Sequence, residues 1–128
     1  WRDYPNRTSR RDPRYSPDAF LRCRAHFLAS GPLAKAEQII VWGAGKVGGK
    51  FGRFLQDEGV SLAAFVDIDP KTIGNLRLGV PVIGPDDLSL YPGCPVVSCV
   101  GSRGARPLIR EQLSQRGYRE AFDYWCVL

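Results

Sequence analysis

The 128-residue chain contains no methionine, one histidine and only short apolar runs. These runs, such as 39–42, fall far short of the roughly 20 residues that a helix needs to cross a bilayer, so we predict that the protein does not span a membrane. The four cysteines form no Cys-x-x-Cys pair and His26 stands alone, so the sequence predicts no metal site. We interpret the cysteines as reduced thiols and expect a cytoplasmic protein. Because the chain begins at Trp1, we expect it to be a piece of a longer protein.

Positive charge is concentrated at the front of the chain. The net charge is +5, and residues 1–24 hold seven arginines against three aspartates. Residues 1–15 have no apolar period, which is typical of an extended arm without a core. The arm has no RNA-binding motif and no long Lys/Arg block, so we expect it to face solvent or a protein partner and predict no nucleic-acid partner.

Apolar segments of strand and helix type alternate along the rest of the chain. Strands are predicted at 38–42, 62–66, 80–83, 96–100 and 121–126, and helices at 16–30, 46–58 and 105–116, with a short one at 86–90. The faces expected to point inward are, in helix order, Phe20, Cys23, Phe27 and Leu28, then Val47, Phe51, Phe54 and Leu55, then Ala105, Leu108, Ile109 and Leu113.

This alternation is typical of βαβ units. We therefore predict an α/β fold, a Rossmann-like three-layer sandwich with a mainly parallel five-stranded sheet, preceded by an extended arm and one helix. The predicted division is a basic arm and linker helix at 1–35 and a nucleotide-binding domain at 36–128.

A glycine-rich loop joins the first of these strands to its helix. Its pattern is G-x-G-x-x-G, comprising Gly43, Ala44, Gly45, Lys46, Val47 and Gly48. Gly43 permits a tight turn, Gly45 allows a diphosphate to approach the backbone, and Gly48 allows the helix to lie close to the sheet. The amide groups of the helix N-terminus would then face the phosphates, and Lys46 would either contact a phosphate or point to water.

An acidic residue follows the second strand at the spacing that ribose recognition requires. Asp67, followed by Ile68, lies 19 residues after Gly48, and a carboxylate there favours free ribose hydroxyls over a 2′-phosphate. The alternative is that the glycines serve only packing and that Asp67 caps the turn at Asp69.

A second loop leaves the fourth predicted strand at the same edge of the sheet. It supplies Gly101, Ser102, Arg103 and Arg106 as candidate ligand contacts, with an arginine meeting phosphate or sugar. The alternative places both arginines in water at the start of a surface helix. No serine or cysteine nucleophile stands beside a histidine base, so we identify no catalytic residue and leave enzymatic activity open.

The stretch 39–88 resembles the small Rossmann-like domain that precedes the hexapeptide-repeat sugar acyltransferases, and the front domain of polysaccharide-biosynthesis dehydratases and epimerases. The residues that carry it are the 41–45 loop, the 64–70 segment, Ile73-Gly74 and 79–83. In the acyltransferases this domain binds a nucleotide-sugar, which the resemblance places on Gly43, Gly45, Asp67 and the Gly101 loop. Four segments near the two ends of the chain resemble the C-terminal extension of bacterial family 2 glycosyltransferases. They are Tyr4-Pro5, 10–16, 29–33 and 123–127.

The resemblance leads to a first hypothesis of a nucleotide-sugar-binding accessory domain, the C-terminal part of a glycosyltransferase in surface-polysaccharide synthesis. It implies a small-molecule nucleotide ligand, with a nucleotide-sugar favoured, and a catalytic glycosyltransferase domain in the same parent chain. NAD is the second candidate ligand, because of Asp67. Two alternatives stay open: the NAD-binding half of an oxidoreductase, and a vestigial docking domain without a ligand.

Overall fold

The computed structural model describes residues 17–102 and 104–128. The strands are β1 (Ile39–Trp42), β2 (Leu62–Val66), β3 (Leu76–Arg77), β4 (Val80–Ile83), β5 (Val96–Ser98) and β6 (Tyr124–Cys126). The helices are α1 (Pro17–Ser30), α2 (Lys46–Asp57) and α3 (Ala105–Gln115), with a short 3-10 helix at Pro85–Leu90. The basic arm, residues 1–15, and Ser16, the first residue of the predicted helix at 16–30, lie outside the described residues. Within the described ranges, no helix is both long and apolar enough to cross a membrane.

The strands form one sheet in the order β3-β4-β2-β1-β5-β6. Every neighbouring pair is parallel except β3 and β4, which form an antiparallel hairpin. The predicted Rossmann-like α/β fold with a mainly parallel sheet is therefore confirmed.

The sheet has one strand more than the five expected. The added strand β3 is two residues long, too short to produce an alternating pattern. Its turn to β4 uses Leu78 and Gly79, both at positive φ (51° and 82°), which is the backbone of a tight hairpin turn without its usual Asn-Gly or Asp-Gly signal.

The last strand is shorter than the predicted 121–126. Ala121 has a positive φ of 67°, and the carbonyl of Arg119 accepts amide hydrogens from Phe122, Asp123 and Tyr124. This turn delays the extended backbone until Tyr124.

Two hydrophobic clusters pack on opposite faces of the sheet, as the alternation of β1 requires. Ile39 and Val41 belong to the cluster beneath α1 and α2, whereas Ile40 and Trp42 belong to the cluster beneath α3 and the 3-10 helix. Helices thus cover both faces, and the loops at the carboxyl ends of the parallel strands meet at one edge.

Helix α1 buries a different face from the one predicted. Its buried side chains are Leu21, Ala25 and Leu28, which join the α2 side of the core. Phe20, Cys23 and Phe27 are exposed, so only Leu28 was correctly assigned inward. Both stripes have helical spacing, and the periodicity alone does not distinguish them. The predicted boundary between the arm with its linker helix, 1–35, and the nucleotide-binding domain, 36–128, remains a prediction.

Leu28→Ala should lower the free energy of unfolding by about 2 to 5 kcal/mol, because Leu28 is fully buried and its truncation leaves a cavity. Phe27→Ala, on the neighbouring residue, removes a larger side chain that is 57% exposed and should cost less than about 1 kcal/mol. Urea denaturation of both variants measures the two values. A larger loss for Phe27→Ala than for Leu28→Ala would contradict the observed face.

Candidate functional site

A cleft of about 530 Å³ opens at the carboxyl edge of the sheet, between the loop after β1 and the loop after β5. Open α/β sheets bind ligands at this edge. Nine of the twelve predicted site residues line the cleft: Gly43, Gly45, Lys46, Val47, Gly48, Asp67, Ile68, Gly101 and Ser102. The sequence motifs on three separate loops therefore meet in one place.

Close backbone packing explains two of the loop glycines. Gly43 has a φ of 125°, and a Cβ there would lie 2.7 Å from the carbonyl oxygen of Cys99 at the end of the neighbouring strand. A Cβ on Gly48 would overlap the carbonyl oxygen of Gly43. Both glycines are thus required by the close contact of the loop with the sheet and of α2 with the loop, as their positions in the motif predict.

Gly45 is different because the space that its side chain would occupy is open. It has an ordinary φ of −75°, and no heavy atom lies within 4 Å of the position a Cβ would occupy. It is the residue before α2 and supplies no side-chain cap to the first turn of that helix. The first amide groups of a helix have no partner within the helix, so those of α2 are available to an anion in the cleft.

Asp67 ties the end of β2 to the glycine loop. Its Oδ2 accepts the amide hydrogen of Ala44 at 3.2 Å, and its Oδ1 accepts those of Ile68 and Asp69 at 2.7 Å and 3.1 Å. Ala44 therefore serves the site through its backbone and does not line the cleft. The carboxylate caps the turn, as the alternative interpretation expected, and it also lines the cleft with acceptor capacity remaining on its oxygens.

The two arginines of the second loop differ from the other candidates. The side chain of Arg106 donates from Nε to the carbonyl oxygen of Leu128 at 2.6 Å and is not among the residues that line the cleft. Arg103 lies outside the described residues. A contact between either arginine and a ligand remains a prediction.

Much of the lining of the cleft is apolar and lies outside the sequence motifs. Seven further residues, all but the last apolar, complete the cleft: Trp42, Cys99, Val100, Ala105, Leu108, Ile109 and Gln112. Leu108 is 64% exposed and Val47 is 41% exposed, although both were expected to point into the core. Leu108 lies in the first turn of α3, and Val47 lies in the first turn of α2. At these positions the apolar face of each helix extends past the core and lines the cleft. Exposed apolar side chains beside two loops are the signal that marks this surface.

Cys99 is a cleft residue with an inert thiol. Its exposed fraction is 2%, and burial raises the pKa of its thiol to about 12. The thiolate that reacts with electrophiles is therefore scarce at neutral pH.

The strand, glycine loop, helix and following acidic residue have the arrangement that Rossmann-type folds use to bind dinucleotides. No protein-family model matches the chain. Over 89 residues it is 32% identical to the redox-sensing transcriptional repressor Rex of Bacteroides thetaiotaomicron, a match that spans 66% of this chain and 38% of that repressor.

Solved structures show the same fold. The chain superposes on the crystal structure of RSP, a Rex-family repressor, with a TM-score of 0.58 at 19% identity, covering 73% of this chain and 46% of RSP. RSP has also been crystallised with β-NADH, and with β-NAD⁺ and operator DNA. UDP-D-quinovosamine 4-dehydrogenase of Vibrio fischeri matches with a TM-score of 0.55 at 20% identity, covering 70% of this chain and 75% of that enzyme. The chain spans between 38% and 51% of the length of the Rex-type repressor chains that it matches.

These comparisons correct the assignment made from the sequence. The resemblance to family 2 glycosyltransferases is wrong, as are the implied polysaccharide function and the catalytic partner domain, because the curated sequence match is to a Rex repressor. The glycosyltransferase resemblance rested on segments near the ends of the chain. The residues that carried the acyltransferase resemblance include the glycine loop and the turn after β2, which Rossmann-type folds share. The prediction of no nucleic-acid partner is overturned by the RSP structure that contains operator DNA.

Gly48→Ala should lower the free energy of unfolding by about 2 to 3 kcal/mol, because the added methyl group overlaps the Gly43 carbonyl and α2 must move. Gly45→Ala should change it by less than about 1 kcal/mol, because the position is open. Urea unfolding compares the two. Equal losses would show that Gly45 is also required for packing.

Iodoacetamide at pH 8 should modify the exposed Cys23 and leave Cys99 unmodified, because burial keeps Cys99 protonated and inaccessible. Mass spectrometry of tryptic peptides identifies the labelled residues, and the urea-unfolded chain, in which all four cysteines react, is the control. Rapid labelling of Cys99 in the native chain would contradict this placement.

Proposed function

We propose that this chain is the NAD(H)-binding part of a Rex-type, redox-sensing transcriptional repressor of the cytoplasm. The observation that carries the proposal is the position of the Asp67 carboxylate beside the glycine loop, in one cleft with the N-terminus of α2. The similarity to Rex repressors supports NAD(H) among the nucleotides that such a cleft could take. In this proposal the site senses the dinucleotide, and the protein is not half of an oxidoreductase.

The residues of the cleft suit the chemistry of a dinucleotide. The amide groups at the start of α2 would bind the diphosphate, which the absence of a Cβ on Gly45 allows to approach. Asp67 would accept hydrogen bonds from ribose hydroxyls, and its negative charge would disfavour a 2′-phosphate. Ile68, 74% exposed, and Leu108 offer apolar surface to the adenine ring.

The proposal extends to the whole protein through its relatives. RSP was crystallised with operator DNA, and the chain spans about half of RSP, so we assign DNA binding to a part of the parent protein outside the matched region. The dinucleotide in the cleft would then regulate operator binding.

Isothermal titration calorimetry of the 128-residue chain should detect binding of NADH, and NADPH should bind at least 10-fold more weakly because its 2′-phosphate meets Asp67. Gly45→Val should abolish binding while leaving the thermal unfolding midpoint nearly unchanged, because its side chain fills open space in the cleft. Ala34→Val, an exposed position that does not line the cleft, is the matched control and should bind NADH normally.

Two results would contradict the proposal. No binding of NADH or NAD⁺ at millimolar concentration would favour a docking domain without a ligand. Equal affinity for NADH in the wild type and in Gly45→Val would place the ligand outside this cleft.

A further inference from the structure

The β3–β4 hairpin brings an arginine to the glycine loop from the far side of α2. Arg77 lies on β3, at the edge of the sheet, and its Nη2 donates to the carbonyl oxygen of Gly45 at 3.3 Å. The two residues are 32 positions apart in the chain. Arg77 does not line the cleft, so the guanidinium lies behind the loop that forms one of its walls.

Gly49 leaves the space that this arginine occupies. It is not one of the three glycines of the G-x-G-x-x-G pattern, and it has no positive φ. A Cβ on Gly49 would overlap the guanidinium of Arg77. Because Gly49 has no side chain, the guanidinium of Arg77 can pack directly against the first turn of α2.

The hairpin holds Arg77 in a defined position. Leu78, which follows it, adopts a positive φ of 51°, a conformation unfavourable for leucine, and its side chain packs against the main core. Backbone hydrogen bonds from Gly74 to Val82 and from Val82 to Asn75 close the segment before the turn. The packing of Leu78 and these two backbone hydrogen bonds together fix the direction in which the Arg77 side chain leaves β3.

Arg77 adds positive charge beside the N-terminus of α2. A guanidinium beside the first turn of α2 adds to the positive end of the helix dipole. Its Nε is shielded from solvent and has no hydrogen-bond partner among the described residues. Asp67 places one carboxylate on the same loop, and a diphosphate at the amide groups of this helix turn would add further negative charge.

We propose that Arg77 is a positioning and specificity-determining residue, which orients the Gly45 peptide and supplies charge that favours phosphorylated nucleotides over nucleosides. This inference rests on the proposed dinucleotide function. It assigns to the hairpin at the sheet edge a part in ligand binding that the glycine motif and Asp67 do not account for.

Titration of the full chain with NADH, ADP and adenosine tests the inference, with adenosine followed by NMR at millimolar concentration. Arg77→Gln should lower the affinity for NADH and ADP about 5-fold at low ionic strength, and by less in high salt, because the lost interaction is electrostatic. The affinity for adenosine should change less than 2-fold. Arg77→Lys, which keeps the charge, should recover most of the affinity for ADP.

Arg53→Gln is the matched control, since it removes the same charge from an exposed position further along α2. It should change the affinity for ADP less than 2-fold. Thermal unfolding of each variant shows whether the fold is kept.

The outcomes separate this inference from the function on which it rests. Suppose that the wild type binds NADH. If Arg77→Gln then binds ADP as tightly as the wild type does, or if its affinity for adenosine falls as much as its affinity for ADP, the inference is wrong and the proposed function stands. If the wild type binds neither NADH nor ADP, both are wrong.

Discussion

The cleft depends on one close backbone approach. The loop after β1 passes the end of β5 so closely that a Cβ on Gly43 would lie 2.7 Å from the Cys99 carbonyl oxygen, and α2 begins so close to that loop that Gly48 must also lack a side chain. These contacts bring the N-terminus of α2 to the sheet edge. Asp67 completes the arrangement by accepting a hydrogen bond from the Ala44 amide, which links β2 to the same loop. Substituents at these points would displace the amide groups that we propose to bind a diphosphate.

The surroundings of this loop are asymmetric. Toward the second loop the cleft is bounded by apolar side chains such as Val100 and Leu108, which suit the face of a planar base. The guanidinium of Arg77 lies behind the loop, where it packs against Gly49. Arg106, one of the two arginines that the sequence offered as ligand contacts, donates a hydrogen bond to the carbonyl oxygen of Leu128. In our proposal one side of the loop recognises the shape of the ligand and the other adjusts its charge.

The sequence predicted the fold well because the relevant signals are local. Alternating apolar runs located five of the six strands, and β3 was missed because two residues carry no period. The glycine loop and Asp67 were found together since a strand, a turn and a helix N-terminus require particular residues at fixed spacing. The same signals were poor guides to the family. Glycines and an aspartate at this spacing serve many nucleotide ligands, so they do not identify the ligand. The glycosyltransferase assignment, which rested on segments near the ends of the chain, is contradicted by the sequence match to a Rex repressor.

The sequence by itself determined the α/β alternation, the G-x-G-x-x-G turn and the acidic end of β2, because each depends on residues that are neighbours in the chain. Only the tertiary structure decided which apolar stripe of α1 is buried, that Val47 and Leu108 face the cleft, and that Arg77 reaches Gly45 across 32 positions. These features depend on which surfaces meet when the sheet closes. A helix with two apolar stripes, or an arginine on a two-residue strand, has no local preference that identifies its partner.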